Sequence, residues 1–135
     1  MNKHNAEIPK VGIGVMIFRE GRVLLGRRKG AHGEGEYAFP GGHLEYMESF
    51  AGCAARETME ETGLQVANVR FHFLANVLDY APRHYVHINL AADWVECEAR
   101  IMEPEKCESW DWYSLDHLPS PLFGPTKSAL ESWKN

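Results

Sequence analysis

Apolar positions fall into short blocks, and their spacing switches between two periods. Residues 11–18 (VGIGVMIF) are apolar throughout apart from two glycines, which predicts a buried strand. Glu20-Gly21 marks a turn, and residues 22–26 (RVLLG) return as a second strand, so the two predict a hairpin. Residues 27–36 are basic and then glycine-rich and read as a surface loop. Residues 37–44 (YAFPGGHL) are extended, interrupted by Pro40-Gly41-Gly42. From residue 48 to residue 62 the pattern becomes helical, with Gly63 as a natural stop just past the end. Residues 65–79 read as one or two strands, 81–83 as a turn, and 84–95 alternate like a long strand. A charged loop over 96–106, a short aromatic strand over 110–114, a turn over 115–118 and a closing helix over 126–133 complete the chain. Strands mixed with two helices imply an α/β domain whose helices cover a mixed sheet. The chain has 135 residues, enough for one compact domain and not for two. Residues 1–9 read as a loose tail, leaving 10–135 as the domain.

The early helix holds the candidate chemistry. At about 100° per residue, Glu57, Glu60 and Glu61 share one side. Ala51, Ala54, Ala55, Thr58 and Thr62 gather on another, a small-residue face suited to packing on a sheet. Three carboxylates within one turn repel one another, and they sit toward the helix end where the macrodipole disfavours anions. Most acidic clusters of this kind are simply solvated. A hard divalent cation with oxygen ligands is the natural compensation where they are not.

Composition narrows the partners. A net charge of −5 argues against a nucleic-acid polymer, though not against nucleotides bridged to carboxylates by metal. No apolar run is long enough to span a membrane. Three cysteines without a CxxC pair point to a reducing, cytoplasmic setting, and no Cys/His spacing resembles a zinc site. His72, His84 and His87 show no ligand spacing with the glutamates, and Trp110 and Trp112 read as core.

The acidic cluster is also framed by fixed residues. Gly42, Glu48, Arg56-Glu57, Glu60-Glu61 and Gly63-Leu64 resemble the Nudix box, G-x5-E-x7-R-E-U-x-E-E-x-G-U, where U is a bulky apolar residue. Thr58, at the first U, is the one departure. Beyond the box, VLLGRRKG, YAFPGGHLEY and EPEKCESWDW are similar to segments of the mammalian type-15 Nudix nucleotide diphosphatases and plant cytosolic relatives, with MutT as a more distant prototype. The resemblance implies the Nudix fold, an α/β/α sandwich with a mixed central sheet and the Nudix helix on one face. It implies Mg²⁺-dependent hydrolysis, with Mn²⁺ as a substitute, of a nucleoside triphosphate to monophosphate and pyrophosphate, possible substrates including oxidised or modified purines. A dinucleoside polyphosphate, nucleotide-sugar or prenyl diphosphate substrate stays open, as does a non-catalytic nucleotide-sensing module. A small-molecule nucleotide is the implied partner, and a homodimer is compatible with the family.

Carried over residue by residue, Glu57 and Glu61 become the principal metal ligands, Glu60 a further ligand or the general base, and the Gly42 carbonyl part of the coordination. Arg56 orients Glu57, and Glu48 holds that network. Asp111 stands where MutT-like relatives place a downstream acidic residue, with Glu108 competing. Arg28 becomes a phosphate clamp. Gly41 and His43 flank the phosphate path, and Phe39, Phe123 and Gly124 take base-pocket positions. Ala38 replaces a glutamine of those relatives, so their base preference need not transfer. Tyr80 lies near a spacing typical of dinucleoside polyphosphate enzymes.

Overall fold

The computed structural model describes residues 7–30 and 32–134. Most of the tail expected over residues 1–9 lies outside the described residues, while Glu7, Ile8 and Pro9 are exposed. The elements are β1 (Lys10–Arg19), β2 (Arg22–Arg27), β3 (Tyr37–Ala38), β4 (Gly41–His43), α1 (Phe50–Thr62), β5 (Val66–Val77), β6 (Tyr85–Trp94), β7 (Asp111–Ser114) and α2 (Gly124–Lys134). The sheet runs β3-β2-β1-β6-β5, with β4 also pairing β1 and β7 pairing β2. β1 and β6 are parallel and the remaining pairs antiparallel, which makes the sheet mixed.

The two-residue period of β1 divides the core in two. Ile13, Val15 and Ile17 point to the face covered by α1, where they meet Leu24, Leu90, Cys53 and Ala54. Met16 points the other way, with Val23, Leu25 and Ala91, and is covered by Ala129 and Leu130 of α2. The molecule is thus an α/β/α sandwich, as the resemblance implies. On the α2 face, Gly12 and Gly14 make room for a side chain of β6. A Cβ at Gly14 would approach the His87 ring to 2.7 Å. Among the described residues no helix is long and apolar enough to cross a membrane.

α1 starts where Ser49 accepts a hydrogen bond from the Gly52 N–H at 2.9 Å, and ends at Gly63 with φ +76°. Its packing face differs from the wheel reading. Cys53, Ala54, Thr58 and Thr62 are buried, whereas Ala51 and Ala55 are exposed. Two adjacent i,i+4 rows do the packing, 54–58–62 and 53–57–61. Glu57 and Glu61 therefore continue the row of a buried cysteine and turn inward, while Glu60 stays outside. Small size alone did not decide which residues face the sheet.

Thr58 is fully buried and its hydroxyl finds no hydrogen-bond partner. An apolar residue of the same shape removes that desolvation penalty. Thr58→Val is therefore expected to raise stability by about 1 kcal/mol, read as a higher urea midpoint. A lowered midpoint would show that the hydroxyl is bonded.

Candidate functional site

The site forms where the Gly41-Gly42 backbone of β4 runs beneath α1. Gly42 presses on the helix so closely that a Cβ there would overlap the Glu57 carboxylate, and one at Gly41 would overlap the Ile13 carbonyl. The Gly41 N–H donates to Glu61 Oε1 at 3.3 Å. The two glycines thus bring backbone against both inward carboxylates, which no larger residue permits.

Arg56 is the hub of the upper half of the site. Its Nε and Nη2 donate to the two oxygens of Glu48 at 2.7 and 3.0 Å, a bidentate pair. Its Nη1 donates to Glu57 at 2.8 Å and to Glu60 at 3.2 Å, and its Nη2 also reaches the His43 carbonyl at 3.2 Å. The guanidinium holds the Glu48 carboxyl at about 2, far below its ordinary range, and is itself raised in return. Cys53 behaves oppositely: burial, aided by the Glu48 charge, pushes its thiol up to about 12, so it packs as an apolar group.

Glu61 lacks such a partner. Its contacts are the Gly41 N–H and the neighbouring Glu57 carboxyl, and among the described residues it forms no ion pair. Burial, together with sharing a hydrogen bond and like charge with Glu57, raises its pKa well above the carboxylate range. Glu103 adds further negative charge. This glutamate arrives on the loop after β6, whose Arg100 and Met102 N–H groups bond the Thr62 and Glu61 carbonyls at 2.9 and 3.3 Å. Trp110 Nε1 donates to the same Glu61 carbonyl at 3.2 Å. The loop thereby satisfies the open carbonyls at the end of α1. Sequence reasoning missed Glu103, because no spacing relative to the helix signals it.

Asp111 does not join this group. It pairs with Leu25, whose side chain faces α2, while the flanking Trp110 and Trp112 pack on the α1 side. Strand alternation therefore turns Asp111 to the opposite face, where it is exposed and raises the Tyr113 hydroxyl. Glu108 is engaged as well, in an ion pair with Arg27.

Arg28 lies on the other side of Glu61. Its guanidinium sits 4.2 Å above the Phe123 ring and its Nε donates to the His32 carbonyl at 3.1 Å. Among the described residues it has no ion-pair partner, and burial lowers its pKa against the pull of Glu61. Around it stand Phe123, Tyr80, Tyr85 and His32, with ring centroids 5.0 to 5.8 Å apart. The Tyr80 hydroxyl donates to Glu36 at 3.1 Å and accepts from the Gly124 N–H at 2.8 Å, so it pins two loops together. Gly124 thus lies at this cluster. Phe39 does not: it is buried in the α2-side core, and its N–H bonds Thr126. Burial and the nearby Arg28 hold His87 and His32 at about 4, so both are neutral near pH 7.

The donor set fits a divalent cation of the magnesium kind. Two inward carboxylates share one proton's worth of space, and only one of them has a cationic partner. Among the described residues no three acidic, imidazole or thiol groups already converge as a cage. Magnesium does not require one, since it commonly keeps several waters and takes one or two carboxylates together with substrate phosphates.

Comparison with known proteins agrees with this geometry. The family model described as NUDIX domain matches residues 8–133. The chain belongs to the NUDIX domain family. An oxidized purine nucleoside triphosphate hydrolase of Danio rerio is 30% identical over 78% of this chain and 66% of its own length. An NAD-capped RNA hydrolase, NudC, of Edwardsiella ictaluri is 32% identical over 78% of this chain and 39% of its own length. The chain therefore spans only part of these curated relatives. The crystal structure of a MutT NUDIX hydrolase from Burkholderia pseudomallei has a TM-score of 0.88 and 35% identity, covering 93% of this chain and 98% of that one. In Nudix terms α1 is the Nudix helix, and the frame of Gly42, Glu48, Arg56 and Glu57 is built as the motif implies.

Proposed function

We propose that the protein is a Mg²⁺-dependent hydrolase of phosphoanhydride bonds in nucleotides, cleaving a nucleoside triphosphate to monophosphate and pyrophosphate. The observation that carries this is Glu61: a buried carboxylate against Glu57, without a cation, facing the unpaired guanidinium of Arg28. A site with surplus negative charge on one side and a free arginine on the other suits a metal–phosphate ligand better than either ion alone.

Glu57 and Glu61 would hold the cation, with the Gly42 carbonyl beside them and Glu60 at the solvent edge. When bound, such a cation neutralises phosphate charge and activates water. Arg56 fixes the Glu57 carboxylate through the bonds described above. Arg28 binds phosphate oxygens, and its position over Phe123 directs the nucleoside toward the aromatic cluster. Water adds to phosphorus, the bridging P–O bond breaks, and the water's proton passes to Glu60 or Glu61; the raised pKa of Glu61 favours accepting it near neutral pH. The names of the relatives, hydrolases of oxidised purine triphosphates and of NAD caps, support nucleotide substrates without choosing among them.

The test is pyrophosphate and phosphate release across a panel of normal and oxidised nucleoside triphosphates, nucleotide sugars and dinucleotides, with and without Mg²⁺. Turnover only with the metal is expected. Absence of turnover on every member, with Mg²⁺ or Mn²⁺, would leave a nucleotide-sensing module as the better account. Within an active enzyme, Arg28→Ala is expected to raise KM for triphosphates about tenfold or more while changing kcat less. An unchanged KM would remove Arg28 from the phosphate path.

A further inference from the structure

The segment between β4 and the Nudix helix exposes side chains that the phosphate site does not use. Tyr46 is 95% exposed and Met47 84% exposed, adjacent large apolar groups at the rim of the site. Met47 adopts φ +64°, a left-handed conformation that disfavours any side chain. Strain and exposed apolar surface coincide at one position, where a glycine would relieve both.

These residues border a groove of about 450 Å³, lined by Lys10 and Val11 of β1 and by residues 43–47. The volume lies within the range of small-ligand pockets. The groove continues directly from the catalytic strand. His43 follows Gly42, its carbonyl is held by Arg56 at 3.2 Å, and its ring lies 5.5 Å from Tyr85. The inward carboxylates therefore stand between two different surroundings. Arg28 and the aromatic cluster adjoin Glu61, whereas His43 and the groove adjoin Glu57. Lys10 supplies the groove with positive charge beside the exposed tyrosine ring.

We propose that this groove is a second nucleoside subsite, in which the Tyr46 ring stacks on an aromatic base carried at the far end of the phosphate chain while Lys10 meets its phosphate. A flat base suits an exposed tyrosine flanked by a flexible methionine, because stacking tolerates any base. The natural ligand is then a dinucleoside polyphosphate, with the phosphate bridge over Glu57 and Glu61. Hydrolysis of a dinucleoside tetraphosphate adds one water across a P–O–P bond and yields a nucleoside monophosphate and a nucleoside triphosphate. This deepens the function proposed above and rests on its phosphoanhydride site.

Steady-state kinetics with Mg²⁺ on diadenosine tetraphosphate and on ATP test it. Tyr46→Ala is expected to lower kcat/KM for the dinucleotide about tenfold through KM, with ATP changed less than twofold; Tyr46→Phe keeps the wild-type values. Equal losses on both substrates, or unchanged dinucleotide kinetics, would overturn the subsite. If the wild-type protein hydrolyses neither compound, the activity reading fails separately. Calorimetric titration of Glu61→Gln protein with diadenosine tetraphosphate then decides the subsite. About tenfold weaker binding on adding Tyr46→Ala sustains it, and equal affinity, or no binding, overturns it.

Discussion

Glu61→Gln is expected to lower kcat by about a thousandfold while the fold stays intact. The amide keeps the shape and the contact with the Gly41 N–H but cannot carry the charge that holds a cation or accept a proton. The same substitution should stabilise the metal-free protein. Because Glu61 titrates higher in the folded chain than in the unfolded one, the folded state holds the extra proton between the two pKa values. Stability of the metal-free protein therefore falls as pH rises from the ordinary glutamate range toward the raised value, and the penalty is absent at lower pH. Glutamine removes the penalty, worth ~1–3 kcal/mol for an uncompensated buried charge. Thermal melts in chelator at neutral pH should show the variant melting higher, and the difference should shrink on acidification. For the wild type, Mg²⁺ binding must displace the proton, so apparent metal affinity should strengthen with pH over the same window. Near-normal turnover in the variant would remove Glu61 from the metal site.

Arg56→Ala should have the second largest effect, on both stability and rate. It leaves Glu48, Glu57 and Glu60 without their shared cation. Solvent reaches a quarter of the guanidinium side chain, so the stability loss is taken as about 1–2 kcal/mol, below the range for fully buried pairs. The rate effect is larger, because a freed Glu57 carboxylate no longer sits fixed against Gly42; kcat/KM should drop 10- to 100-fold. Arg56→Lys is the informative companion. Lysine restores a positive charge but not the fork that grips Glu48 with two nitrogens while reaching Glu57. Kinetics of the lysine variant should stay close to those of alanine. Full rescue by lysine would mean that charge alone, and not positioning, is what Arg56 supplies.

The parts of this molecule that were legible in sequence share a property: each is specified by residues close together in the chain. The strand pattern over residues 11–18, the Gly63 stop and the glutamate frame all rest on local periodicity or fixed spacing. The wheel reading went astray on Ala51 and Ala55 because it ranked helix faces by size, whereas the glycine floor of β4 draws Glu57 and Glu61 inward. Asp111 carried the right chemistry in the right part of the chain, but the pairing of β7 with β2 decides its face, and register is a long-range property. Phe39 went to the core for a similar reason, since α2 closes over it from 87 residues away. Glu103 was invisible because a loop's docking onto a helix end is set by three-dimensional hydrogen bonds to Thr62 and Glu61, not by spacing. The aromatic cluster around Phe123 joins three loops remote in sequence, so only Phe123 and Gly124 were anticipated.

A crystal grown with Mn²⁺ and a nonhydrolysable nucleoside triphosphate probes the metal–carboxylate pairing without relying on turnover. The anomalous signal should place an ion between the Glu57 and Glu61 carboxylates, next to the Gly42 carbonyl and in contact with the phosphates. Nucleotide bound with both carboxylates empty, or the ion held elsewhere, would contradict it.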